Sequence, residues 1–157
     1  MTLQLGQKSF EVAKDKGARE SDEIWAINVV TLFNSLLENI EGVGEVVPGI
    51  LSLLLTEIQT SKSPDYQVML LQGILMCLWY DLGQSITVLE QSGASDFIFQ
   101  AIFAKVTEIK EDFEVKRFML GLTSFLVNSE MPDSVKNNYG NIIKALVYLG
   151  QRSIEIR

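Results

Sequence analysis

DYQVMLLQGILMCLWYDL, residues 65–82, is the stretch on which the reading of the chain turns. It is too long for an ordinary strand and too continuously apolar for a helix with one wet face. From Val68 to Tyr80 only Gln72 and Gly73 interrupt the apolar run. A helix built from it is hydrophobic nearly all round and must be covered on several sides. A membrane span needs roughly 20 apolar residues, and Asp65 and Asp81 stop this run short of that. The stretch therefore reads as the central helix of an all-α stack.

Upstream, Thr60-Ser61-Lys62-Ser63-Pro64 breaks the chain, with Ser63 as cap and Pro64 as the first helical residue. The helix before it starts near 45–48, where proline is tolerated in a first turn, and carries Val47, Leu51, Leu54, Leu55 and Ile58 on one stripe. Earlier still, Ser21-Asp22-Glu23 is a helix-start signal. Trp25, Val29, Leu32, Phe33, Leu36, Leu37 and Ile40 follow at helical spacing, with Asn28, Thr31, Asn34, Ser35 and Glu38 on the other face. Gly42 and Gly44 end this helix, which is expected over 22–41. Residues 1–21 read as an N-terminal segment, the end of a preceding helix or partly disordered. Residues 1–17 have scattered charges and no apolar core of the kind a secretory signal needs.

Downstream, residues 84–91 predict one or two helical turns, and Ser92-Gly93-Ala94-Ser95 a loop. Ser95-Asp96 caps a helix whose Ile98, Phe99, Ile102, Phe103, Val106 and Ile109 face inward. Lys110-Glu111-Asp112 is a charged turn, and Glu114 opens a helix carrying Val115, Phe118, Met119, Leu122, Phe125 and Leu126. Pro132-Asp133-Ser134 starts a last helix with Val135, Tyr139, Ile142, Ile143, Leu146 and Leu149 inward. No period-two alternation of convincing length occurs, so no strand is expected.

The totals narrow the function. The chain has 157 residues, 47% of them apolar and 21% charged, an ordinary globular composition. Its net charge of −7, from 13 basic and 20 acidic residues, argues against direct nucleic-acid binding, which needs clustered Lys and Arg. It is compatible with basic partners, although solubility is the plainer reason for it. Histidine is absent, which excludes a His-based triad, a His general base and a His-ligated zinc. Cys77 is the single cysteine, so neither an intrachain disulfide nor a Cys-rich metal site is available. The two glycines of Glu41-Gly42-Val43-Gly44-Glu45 lack the spacing, the Lys and the preceding strand of a phosphate loop. No catalytic, cofactor or metal constellation is expected, and no membrane segment.

The helices also repeat. Ser35-Leu36, Cys77-Leu78 and Phe125-Leu126 occupy equivalent positions 42 and 48 residues apart; Thr56-Glu57-Ile58 and Thr107-Glu108-Ile109 lie 51 apart, and Val147-Tyr148-Leu149 follows 40 further on. These spacings bracket the period of about 40–47 residues of HEAT and armadillo units. The expectation is an α-solenoid of about three HEAT-like helical pairs within 22–157, over 22–60, 65–109 and 114–154. In such an array the middle pair is covered twice and is the most apolar. A non-repetitive six-helix bundle is the alternative.

Three features resemble the importin-β (karyopherin-β) family of nuclear transport receptors, the importin-seven/eight branch in particular. They are the apolar helix ending Leu78-Trp79-Tyr80-Asp81 with Thr87-Val88-Leu89-Glu90 after it, the helix over 97–109, and Lys116-Arg117-Phe118-Met119-Leu120-Gly121-Leu122. The likeness covers roughly 23–151, in the family's C-terminal half. It implies a superhelical receptor that binds basic cargo such as ribosomal proteins or histones on its concave side. It also implies passage along Phe-Gly nucleoporins at the nuclear pore, residence in cytoplasm and nucleus, and cargo release to the Ran GTPase. The chain is too short for a whole receptor, lacks the N-terminal repeats where the family engages Ran, and has no long acidic loop.

Glu57 and Glu108 hold matching positions on second helices, the helices that line the concave side in this family, and Glu111, Asp112 and Glu114 add charge at the adjacent turn. These five form the candidate surface for a Lys/Arg-rich partner, steered by long-range attraction; a solvated helix end is the plainer alternative. A groove between first helices, with Met69, Met76 or Met119 as adaptable lining, is a candidate seat for a Phe side chain. A structural HEAT scaffold in another complex is the competing functional class.

Overall fold

The computed structural model describes residues 20–127 and 130–156, with Gln4, Gln7, Lys8, Phe10 and Glu11 ahead of them; of 20–25 it describes the backbone alone. Among the described residues every regular element is helical. They are α1 (Glu20–Asn39), a 3-10 turn (Gly44–Val46), α2 (Val47–Ile58), α3 (Pro64–Tyr80), α4 (Leu82–Ser92), α5 (Ser95–Lys105), a second 3-10 turn (Val106–Glu108), α6 (Asp112–Val127), α7 (Asp133–Lys136) and α8 (Tyr139–Glu155). The segment expected over 1–21 falls mostly outside the described residues, as does the Trp25 side chain; Phe10 is buried in the core.

The apolar stretch forms α3, and its boundaries have local causes. Ser63 accepts a hydrogen bond from the Tyr66 N–H at 3.4 Å, and Pro64 occupies the first turn. At the other end Asp81 leaves the helix with extended backbone, and its carboxylate accepts from the Gln84 N–H at 3.0 Å. The residue that stops α3 thus caps α4, which is why 82–92 holds eleven helical residues rather than the one or two turns expected. Gly93, at φ +65°, closes α4 in the left-handed conformation that glycine adopts without steric cost.

Every residue from Leu70 to Leu78 is buried. The cover comes from α1 and α2 on one side, α6 on another, and α4 and α5 at the flanks. Two glycines let the helices approach. A Cβ on Gly73 would lie 2.8 Å from Leu54 Cδ1 of α2 and 3.2 Å from Val30 Cγ1 of α1. A Cβ on Gly121 of α6 would lie 2.5 Å from Leu75 Cβ and 2.7 Å from the Leu75 carbonyl oxygen, so α6 meets the α3 backbone directly. The helices α1, α3, α6 and α8 then pack in a row, each against the next, while α2 lies over α3 and α4.

Several faces differ from their sequence expectation. In α1 the buried set is Ala26, Val30, Phe33, Asn34 and Leu37, whereas Leu32 and Ile40 are each 49% exposed. Apolar residues are so dense in α1 that periodicity alone admits more than one face; the approach of Val30 to Gly73 selects one and carries Asn34 inward. Ser95 does not cap α5: its hydroxyl donates instead to Glu90 Oε1 at 2.6 Å, as does that of Ser134. Glu90 so joins α4, α5 and α7. The bond from Ser134 first, and that from Ser95 second, holds its carboxyl below the usual carboxylate range. That contribution is present above the ordinary carboxylate pKa and is lost as the pH falls through the lower folded value.

The last expected helix is two. The break lies at Asn137 and Asn138, where the Asn138 side-chain amide donates to the Ser134 carbonyl at 2.8 Å, a local bond that competes with helix continuation. In α8 the buried residues are Ile142, Ala145 and Leu149; Ile143, expected inward, is exposed.

Candidate protein-binding surface

The five acidic residues do not share one situation. Glu111, Asp112 and Glu114 are gathered at the start of α6, and Glu108 lies in the 3-10 turn just before it. Glu57 sits on α2, buried and 7% exposed, which does not suit an open docking surface. Glu114 is occupied locally: one carboxylate oxygen accepts from the backbone N–H groups of Lys110 (2.9 Å) and Glu111 (3.0 Å). This satisfies donors left over at the helix start, the backward half of a capping box. Asp112 pairs with Lys116 at 2.6 Å and Glu108 with Lys105 at 2.8 Å, both within a turn. Exposed pairs of this kind contribute a few tenths of a kcal/mol. Glu111 is the member left exposed with no ion pair among the described residues.

The other oxygen of Glu114 starts a network that the sequence did not announce. It accepts from Gln72 Nε2 at 3.2 Å, and Gln72 is fully buried at the middle of α3. The Gln72 side-chain oxygen Oε1 accepts from Arg117 Nη1 at 3.1 Å. Arg117 Nε in turn donates to Glu38 Oε1 of α1 at 2.6 Å, and its guanidinium lies over the Phe113 ring, 5.3 Å from the centroid. One chain of polar contacts therefore crosses three neighbouring helices, α1, α3 and α6. Arg117 and Glu114, read from sequence as part of a motif and of a binding patch, tie α6 to α3, and Arg117 ties it to α1 as well. The signal was Gln72 itself, a polar interruption in an apolar helix that must find partners when buried.

An open groove of about 190 Å³ lies between the end of α2 and α5, floored by the start of α3. Ile58, Leu71, Phe97, Ala101 and Ala104 make it apolar, and Gln67 and Lys105 stand at it as polar groups. Phe97 is 45% exposed. The groove expected between first helices had methionines for lining. Met76 is instead wholly buried, Met69 and Met119 are half-buried, and none lines this groove. Cys77 is buried in α3, and burial pushes its thiol pKa far up, so it is inert as a nucleophile. Among the described residues no cluster of His, Cys, Asp and Glu could hold a metal ion, and no helix is long and apolar enough to cross a membrane.

No family model, curated protein or solved structure matches this chain. What the molecule presents is a row of packed helices with an open apolar groove on one side, and no assembled set of reactive groups among the described residues.

Proposed function

We propose that the chain is a protein-binding segment of HEAT-like helical pairs: α1 with α2, α3 with α4 and α5, and α6 with α7 and α8. Its role is within a nuclear import receptor that carries basic cargo along Phe-Gly nucleoporins in a Ran-dependent cycle. The observation that carries the repeat reading is α3, shielded by α1 on one side and α6 on the other, as the inner helix of a stacked array must be. The transport reading rests on the resemblance of residues 78–90, 97–109 and 116–122 to the importin-seven/eight branch. The groove at Phe97 has the size and apolarity for one aromatic side chain, and Glu111 offers an exposed carboxylate to a basic partner.

A structural scaffold in another intracellular complex is the second reading. It is favoured by the engagement of Asp112, Glu108 and Glu114 in pairs and caps, which leaves little free acid for cargo. Titration of the chain with a Phe-Gly repeat peptide and with a Lys/Arg-rich cargo separates the two. The receptor reading expects the peptide to bind and Phe97→Ala to weaken it at least fivefold. It also expects cargo affinity to fall with salt and with Glu111→Lys. Absence of both interactions at low salt leaves the scaffold.

A further inference from the structure

The groove at Phe97 has two polar groups set into its apolar lining, one from each side. On the α3 side Gln67 donates from Nε2 to the Ser61 carbonyl oxygen at 3.2 Å. A carbonyl only accepts, so this bond fixes which end of the amide is nitrogen. It leaves Gln67 Oε1 an acceptor with no donor among the described residues. On the α5 side Lys105 lines the groove with its side chain only 17% exposed. Its ammonium donates to both carboxylate oxygens of Glu108, at 3.0 and 2.8 Å. Two of its three protons are thereby used and its charge is balanced. The groove therefore offers one acceptor and one donor, and its lysine is already neutralised.

We propose that Gln67 and Lys105 read the main chain of an extended, uncharged peptide segment whose single aromatic side chain fills the groove. The N–H of the aromatic residue donates to Gln67 Oε1, and a carbonyl oxygen of the segment accepts from Lys105 Nζ. This rests on the groove being an aromatic seat, as in the proposed function, and adds what must flank the ring. Each group on the wall then meets its complement in one peptide unit, which carries both a donor and an acceptor.

Other occupants fit these groups less well. A helix has spent its interior N–H and C=O groups on its own backbone and would cover Gln67 Oε1 without bonding it, at a desolvation cost. A carboxylate beside the ring would meet Glu108, and a cation there would meet Lys105, since each of that pair is committed to the other. Small flanking residues, glycine above all, let a main chain approach two side-chain tips closely.

Titration of the full chain with the blocked peptide Ser-Gly-Phe-Gly-Ser, followed by nitrogen–proton correlation spectra, tests this. The dissociation constant is expected on the order of 1 mM, as one buried ring and two hydrogen bonds allow. N-methylation of the Phe amide removes the donor and should weaken binding about fivefold, as should Gln67→Leu. Because both changes remove the same bond, together they should cost no more than either alone. Glu108→Gln frees the Lys105 charge, so a peptide with Asp in place of the last Ser should then bind roughly threefold better than the neutral one. Helical circular dichroism should be unchanged in both variants. If Phe97→Ala weakens binding but N-methylation does not, the inference is overturned while the aromatic seat stands. Equal binding of neutral and acidic peptides by Glu108→Gln overturns the part assigned to Lys105. Failure of every Phe peptide to bind at roughly 10 mM overturns the seat and the inference together.

Discussion

α3 and α8 are both seventeen residues long, yet they stand in opposite situations. α3 is buried without a break from Leu70 to Leu78, covered by α1, α2 and α6. α8 rests on α6 alone among the substantial contacts and leaves Ile143, Val147 and Ile154 in water. The difference follows from place in the row rather than from helix-forming tendency. An inner helix has neighbours on both sides and can be apolar all round, whereas an edge helix has one dry face. The glycines follow the same division: in α3 and α6 they admit a neighbouring helix, and in α8 they face open space.

The contrast can be broken most sharply at Gly121. Gly121→Ala forces a Cβ against the Leu75 backbone oxygen, which has no rotamer to escape into, so α6 must move off α3. A loss of roughly 3 kcal/mol, or failure to fold, is the expected result in urea denaturation. A change under 0.5 kcal/mol would mean that the close crossing of α3 and α6 is not a constraint on stability.

The polar chain across the row is the next lever. Arg117→Met removes the donor to the buried side-chain oxygen Oε1 of Gln72 and separates α6 from Glu38 of α1. A buried acceptor left without a partner costs about 1–3 kcal/mol. The expected loss is therefore about 2 kcal/mol by the same denaturation, well above that from Glu108→Gln, which breaks only an exposed pair. Equal effects from the two would count against a role for the network in register.

The smallest effect should have the opposite sign. Gly150→Ala, at a position where a Cβ would meet nothing within 4 Å, is expected to raise stability by about 0.5–1 kcal/mol by restricting the unfolded chain. A loss would show that this position is already packed in the isolated molecule, and the contrast between the inner and edge helices would fail there.

How much of this is legible in the sequence depends on the residue. The Ser63-Pro64 start, the Gly42 stop and the helix phase of α2 follow from local stereochemistry, which needs no partner, whereas on α6 Leu126 of the expected stripe is 47% exposed. Asp81 was legible as a stop but not as the cap of α4, because a cap is recognised by the backbone conformation of its own residue. Asn34 and Leu32 exchanged faces: in a helix apolar on most sides, neighbours choose which side is buried. Neither amide atom of the buried Asn34 has a hydrogen-bond partner, and periodicity would never place it there. Of the candidate acids, Glu114 caps its own helix start although Glu111, not a serine or threonine, stands three residues before it, and the burial of Glu57 had no signal in the sequence.

The amino-acid sequence by itself determined that the chain is helical, where most helices begin and end, and that residues 65–82 had to be covered on several sides. Those properties rest on backbone stereochemistry and on the aversion of apolar side chains for water, both of which act within a few residues. Tertiary structure alone decided which helix covers which, that Gln72, Arg117, Glu114 and Glu38 meet, and that one apolar stripe of α8 is left bare. Such outcomes depend on distances between residues far apart in the chain, and a linear pattern does not encode them.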